Sequence, residues 1–79
     1  MKDQNESNTA KRWDAGEAGC GQLILGLRRQ LGSLNPGELL EVTARDAGAP
    51  ADLPAWCRIT GHGLTTAAHP VYVVQKKNG

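Results

Sequence analysis

The sequence has 79 residues, of which 39% are hydrophobic and 22% charged, with no Phe and a formal net charge of +1. A chain of this length forms a single small domain that buries only about 60% of its unfolded surface, and its apolar runs are too short to span a bilayer. The balanced charge excludes a general attraction to nucleic acid, and the lack of a secretory signal pattern leads us to expect a cytoplasmic protein that does not bind membranes.

The first nine residues are polar and contain no periodic apolar residue, so residues 1–9 are predicted to form a disordered tail. A single folded domain is predicted to occupy residues 10–79. It begins with a short strand over residues 11–14, in which Trp13 is the large side chain that turns inward.

An amphipathic pattern follows a glycine-rich loop and predicts a first helix that begins at Cys20. Apolar residues recur there at spacings of three and four, which places them on one helical face. The helix is predicted to end between residues 32 and 35, where turn-forming residues follow. The residues of the predicted inner face are Ile24, Leu27, Leu31 and Leu34.

The clearest strand covers residues 38–45, where apolar and polar side chains alternate. Asp52 is then predicted to cap a second helix that runs to Thr60, with Pro54 in its first turn, where the missing N–H of proline does no harm. Cys57 would lie in the middle of this helix, away from free amides, and is predicted to be a core residue with an ordinary thiol.

Two short strands are predicted at the end of the chain, over residues 64–68 and 71–76. The order of elements is therefore β-α-β-α-β-β. This order predicts an α/β fold, a two-layer sandwich in which two helices cover one face of a four-stranded mixed sheet.

Cys20 is the candidate for chemistry because it lies at a predicted helix N-terminus. The unpaired amides and the helix dipole favour a thiolate there and can lower a cysteine pKa from about 8.5 to roughly 3.5–7.5. A second interpretation stays open, because Cys20 is in phase with Ile24 and Leu27 and could extend the apolar face as a small buried side chain.

Two blocks of residues carry a family resemblance. The first is an Asp, a loop with glycines and a Cys that opens a helix: Asp14, Gly16, Gly19 and Cys20. The second comprises residues 36–42, Asp46, Gly48 and residues 52–62. Together with a last strand that ends in lysines, these blocks resemble the TusA/SirA/YedF family of sulfur-carrier proteins over residues 11–77.

The sequence departs from that family at one place. Members usually have Cys-Pro-x-Pro at the helix start, whereas this chain has Cys20, Gly21, Gln22 and Leu23. Proline has no N–H, so its loss provides amide donors at Gly21 and Leu23 close to the sulfur. We therefore expect the Cys20 thiol to remain acidic.

The resemblance implies a sulfurtransferase-type carrier without cofactor or metal. Cys20 would take a sulfane sulfur from a cysteine desulfurase or a rhodanese-like protein, hold it as a persulfide and pass it to an acceptor protein. Gly19, Gly21 and Gln22 would shape the pocket around the sulfur. Arg28 and Arg58 would dock to acidic partner surfaces, or would simply be solvated charges.

Other functions fit less well. Loss of both prolines would allow a family member that acts as a regulatory or protein-binding module without sulfur transfer. Direct RNA binding is disfavoured because sheet-type readers need exposed aromatic residues, and Tyr72 is the single Tyr.

The glycines do not match a nucleotide fingerprint, and the Cys and His residues lack zinc-ligand spacing. A catalytic pair of Cys20 with His62 requires that the fold bring them together.

Overall fold

The structure, a computed structural model, describes residues 9–78. The elements in chain order are β1 (Thr9–Gly16), α1 (Cys20–Gly32), β2 (Leu39–Ala44), α2 (Ala49–Thr60), β3 (Gly63–Ala68) and β4 (Val71–Gln75). This order confirms the predicted β-α-β-α-β-β pattern. The predicted tail lies outside the described residues except for Thr9, which is the first residue of β1.

The four strands form one mixed sheet in the order β1-β2-β4-β3. β1 and β2 are parallel and are joined through α1, whereas β4 is antiparallel to both β2 and β3. In the centre of the sheet, Val42 pairs with Trp13 of β1 and with Tyr72 of β4. The predicted four-stranded mixed sheet is therefore confirmed.

The two helices bury their apolar residues against one face of this sheet. In β2 the alternation is as predicted, since Leu40, Val42 and Ala44 are buried. In α1 the fully buried residues are Leu23, Leu27 and Leu31, whereas the predicted Ile24 and Leu34 are only partly buried. Leu27 thus lies at the centre of the apolar stripe, one turn from Leu23 and from Leu31, and the stripe is rotated slightly from its predicted position. Neither helix in residues 9–78 is long and apolar enough to cross a membrane.

The start of α2 differs from the prediction. The helix begins at Ala49 after the cap residue Gly48, and the Asp52 N–H already donates to the Gly48 carbonyl at 2.9 Å. Pro50, not Pro54, occupies the first turn, where a proline fits best, so Pro54 lies inside the helix. The prediction that Asp52 caps the helix was therefore wrong.

The end of α2 agrees with the prediction. Gly61 has a φ of +93°, a left-handed conformation that glycine adopts without strain, and its N–H donates to the Cys57 carbonyl at 2.8 Å. Cys57 itself is 3% exposed, which confirms its place in the core.

Trp13 and Gly26 bring β1 and α1 into close contact. The Trp13 ring lies so near the Gly26 Cα that a Cβ at position 26 would overlap the ring. Trp13 is partly buried against the core, as predicted for the inward-facing side chain of this strand. A glycine in the middle of a helix, unfavourable by itself, is explained by this contact.

We expect Gly26→Ala to lower the free energy of unfolding by about 1–3 kcal/mol, because the overlap with Trp13 outweighs the better helix propensity of alanine. The control is Gly32→Ala, at the end of the same helix, where a Cβ would meet nothing within 4 Å. That variant should be neutral or up to about 1 kcal/mol more stable. Urea unfolding monitored by circular dichroism measures both, and equal stability of the two variants would contradict the expectation.

Candidate functional site

Cys20 is the first residue of α1 and its side chain is exposed. Gly19, Gly21 and Gln22 are exposed beside it, and a Cβ at either glycine would meet nothing within 4 Å. We call residues 19–22 the Cys20 tip. Because the sulfur is open to solvent, the interpretation of Cys20 as a buried extension of the apolar face is wrong.

The loop that leads to the Cys20 tip is held by Asp14. Its Oδ1 accepts a hydrogen bond from the Gly16 N–H at 2.8 Å and one from Arg45 Nη1 at 2.9 Å. The Arg45 N–H in turn donates to the Gly16 carbonyl at 3.0 Å. The Gly16 amide and then the Arg45 guanidinium hold the pKa of Asp14 below its ordinary value. The end of β1 is thereby tied to the residue that follows β2.

The backbone amides at the Cys20 tip provide fewer donors than expected. The Leu23 N–H donates to the Gly19 carbonyl at 2.8 Å, so it belongs to the first turn of the helix and is not available to the sulfur. Within residues 9–78, the Gly21 N–H has no backbone acceptor, as is usual for the first turn of a helix. Of the two donors that the loss of proline was expected to provide, only the one at Gly21 remains.

Two carboxylates lie near the sulfur. Asp52, in the first turn of α2, and Asp46, in the loop before it, converge on Gly48, where a Cβ would lie 3.1 and 3.0 Å from their Oδ2 atoms. The charge of Asp52 is the main cause that raises the pKa of Cys20, and reduced solvation and the charge of Asp46 add to it. The expectation of an acidic Cys20 thiol was therefore wrong.

The expected docking arginines do not share this site. Arg28 lines a groove of about 330 Å³ together with Trp56, His62, Lys76 and Lys77, which we call the basic groove. Arg28 lies about 12 Å along α1 from Cys20 at 1.5 Å per residue. Arg58 is exposed on α2 but does not line the groove. The sequence reasoning missed this groove, although the Lys76-Lys77 pair after the last strand was a visible signal.

His62 belongs to the basic groove and not to the Cys20 tip. Its ring stacks on Trp56 with centroids 5.3 Å apart, and its Nδ1 accepts the Lys77 N–H at 3.1 Å. Burial, then the charges of Lys77 and Lys76, lowers the pKa of His62. His62 follows the C-terminus of α2, whereas Cys20 adjoins the N-terminal turn of that helix. The fold therefore does not form the Cys20–His62 pair.

The remaining candidates have structural roles. His69 Nδ1 lies 2.6 Å from the Tyr72 hydroxyl, and Tyr72 is 1% exposed, so its ring is not available for stacking on RNA bases. Between residues 9 and 78, no group of three or more His, Cys, Asp or Glu side chains could hold a metal ion.

Comparison with known proteins identifies relatives of this chain. The profile of the family described as "Sulfurtransferase TusA" matches residues 11–76. Two proteins from Neisseria meningitidis serogroups A and B, each named "Putative sulfur carrier protein", are 43% identical to the chain over 49 residues. The Bacillus subtilis protein named "Putative sulfur carrier protein YrkF" is 41% identical over 49 residues.

The alignments with these relatives are partial. Each covers 62% of this chain, and they cover 66% of the Neisseria proteins and 26% of YrkF. The chain therefore spans just under two thirds of the length of the Neisseria relatives that it matches.

We expect the rate of Cys20 alkylation by iodoacetamide to rise with pH through an inflection above that of an unperturbed cysteine, because Asp52 disfavours the thiolate. Asp52→Asn should move the inflection to lower pH. Glu41→Gln, on the β2 face turned away from the helices, is the matched control and should leave it unchanged. An inflection below that of a free thiol in the unmodified protein would contradict this expectation.

We also expect a pH-dependent stability from His62. Its pKa is lower in the folded chain than the ordinary 6.5, so the unfolded chain binds more protons between the two values. The free energy of unfolding should therefore fall as the pH drops below about 6.5 toward the folded pKa. Urea unfolding at several pH values in this range measures how steeply the free energy of unfolding depends on pH. This dependence should be less steep in His62→Gln, and an equally steep dependence would show that burial of His62 is not its cause.

Proposed function

Because the chain belongs to the TusA family of sulfurtransferases, we propose that it is a sulfur carrier that binds a sulfane sulfur on Cys20 as a persulfide and passes it to another protein. The observation that carries the proposal is the exposed Cys20 sulfur at the first turn of α1. A carrier thiol must be reached in turn by a donor and by an acceptor, and both are proteins. The names of the relatives as sulfur carriers support the same role.

The proposed reaction consists of two exchanges at sulfur. The Cys20 thiolate attacks the outer sulfur of a donor persulfide, the donor S–S bond breaks, and the donor leaves as a thiolate. Cys20 then holds the sulfur as its own persulfide. An acceptor thiolate attacks that outer sulfur, the S–S bond on Cys20 breaks, and the Cys20 thiolate is released. No net oxidant or reductant is consumed in either step.

The residues of the Cys20 tip contribute access and polarity. Gly19 and Gly21 carry no side chain, so a partner's sulfur can approach without displacing a Cβ. The amide of Gly21 points outward at a helix N-terminus, a position that favours an anion such as a persulfide. Gln22, also exposed in the first turn of the helix, is a further polar group that a bound partner can reach.

Asp46 and Asp52 make the reaction depend on the partner. In the free protein their charge disfavours the Cys20 thiolate, so Cys20 reacts more slowly with persulfides and with oxidants than an unperturbed cysteine does. A donor such as a cysteine desulfurase or a rhodanese-like protein would need a cationic group at its docking surface. That group would offset the charge of the two carboxylates and so increase the fraction of Cys20 that is thiolate in the complex.

A protein-binding module without sulfur transfer is the second candidate. The observation that favours it is the raised pKa of Cys20, since a raised pKa lowers the fraction of nucleophilic thiolate. In that case the domain would keep the family's docking surfaces, and Cys20 would not be needed for binding to a partner protein.

Sulfur loading distinguishes the two functions. We expect incubation with a cysteine desulfurase and L-cysteine to add one sulfur to the peptide that contains Cys20, as detected by mass spectrometry. Cys20→Ser should abolish the addition, whereas Cys57→Ala, which removes the buried thiol, should retain it. Absence of loading from both the desulfurase and a thiosulfate-fed rhodanese, with the chain folded by circular dichroism, would refute the carrier and favour the binding module.

A further inference from the structure

The basic groove, lined by Arg28, Trp56, His62, Lys76 and Lys77, takes no part in the chemistry proposed for Cys20. We propose that it docks a short acidic segment of a partner protein, in which carboxylates flank an apolar side chain. The inference concerns binding only, so it holds whether or not Cys20 carries sulfur.

The two lysines of the groove are held in place by the helix ends. Lys76 Nζ donates to the Leu31 carbonyl at 2.8 Å, and Lys77 Nζ donates to the Thr60 carbonyl at 2.9 Å. An ammonium group has three N–H donors, so each lysine keeps two that can bind a carboxylate. Because these side chains are already ordered, a ligand would not bear the full entropic cost of immobilising them.

The third cation lies across the groove on α1. Arg28 is exposed, and the ion pairs within residues 9–78 are formed by Arg12 with Glu41 and by Arg45 with Asp14, not by Arg28. Its guanidinium can bind a carboxylate through two parallel hydrogen bonds. The groove therefore presents cations from α1 and from the segment that follows β4, and none of the residues that line it is acidic.

The apolar part of the proposed site is on α2. Trp56 stacks on His62 and forms a half-buried wall of the groove. Ile59 follows by three residues, on the same side of the helix, and is 83% exposed. Ile59 does not line the groove itself, but an exposed aliphatic side chain one turn from the Trp56 wall favours a ligand with an apolar side chain at the rim.

The distribution of charge favours a short acidic protein segment over a nucleic acid. The other end of the helix pair carries Asp46 and Asp52 beside Cys20, and Cys20 lies about 12 Å from Arg28 along α1. A polyanion long enough to follow the helices would meet these carboxylates and be repelled. A segment that fills only the groove, with its volume of about 330 Å³, would not reach them.

The test is a titration of the uniformly 15N-labelled protein by NMR. The probes are a synthetic peptide of alternating Glu and Leu, its counterpart with Lys in place of Glu, and oligouridylate RNA. We expect the Glu-Leu peptide to shift the Trp56 indole signal and to bind more weakly as salt is raised. The Trp13 indole is an internal reference because its ring packs against Gly26, away from the groove, and its signal should not move.

A matched pair of variants tests the charge contribution. Arg28→Glu should weaken binding of the Glu-Leu peptide by about three- to tenfold, the range of one or two exposed ion pairs. Arg29→Glu changes the charge equally at an exposed position of the same helix that does not line the groove, and it should bind like the unmodified protein. Circular dichroism checks that both variants fold.

Several outcomes would overturn the proposal. The first is a shift of the Trp56 indole signal by RNA and not by the Glu-Leu peptide, and the second is binding of the Lys-Leu peptide as tight as that of the Glu-Leu peptide. The third is equal weakening of Glu-Leu binding by Arg28→Glu and Arg29→Glu, and the fourth is no shift of the Trp56 signal by any probe. The indole readout on the unmodified protein decides the question even if Arg28→Glu does not fold. Cys20→Ser should bind the peptide normally, so failure of sulfur loading and failure of groove binding are separate results.

Discussion

The packing of both helices on one face of the sheet is the constraint on which the rest of the structure depends. α1 buries its leucine stripe and α2 buries Leu53 and Cys57 in the same core, which also contains Val42 and Tyr72. The helices lie on the same face, and they run in the same direction because each connects two strands that point the same way. Their N-termini therefore meet at one end of the domain and their C-termini at the other.

This arrangement separates charge along the molecule. Asp46 and Asp52 lie at the end where the helix dipoles are positive, and Lys76 and Lys77 donate to carbonyls at the end where they are negative. Each set of charges complements the nearby dipoles and so favours the fold. The same carboxylates, however, oppose ionisation of Cys20. A feature that suits the helices therefore disfavours ionisation of the free thiol.

Periodicity and turn residues were sufficient for most of the fold. The alternation in β2, the end of α2 at Thr60 and the burial of Cys57 all follow from patterns within a few residues of each position. The start of α2 was misjudged because two prolines, Pro50 and Pro54, compete for the first turn, and the local sequence does not say which one the core selects. The role of Gly26 was also hidden, since it depends on Trp13 in another element.

The sequence by itself determined the order of the elements, the position of Cys20 at a helix N-terminus and the departure from the family's proline motif. These are local properties, set by side-chain spacing and by the conformations that glycine and proline allow. Only the tertiary structure decided the electrostatic state of the sulfur and the existence of the basic groove. The reason is that Coulomb interactions and stacking depend on distance in space, and the fold brings Asp52 to Cys20 and Lys77 to His62 from other parts of the chain.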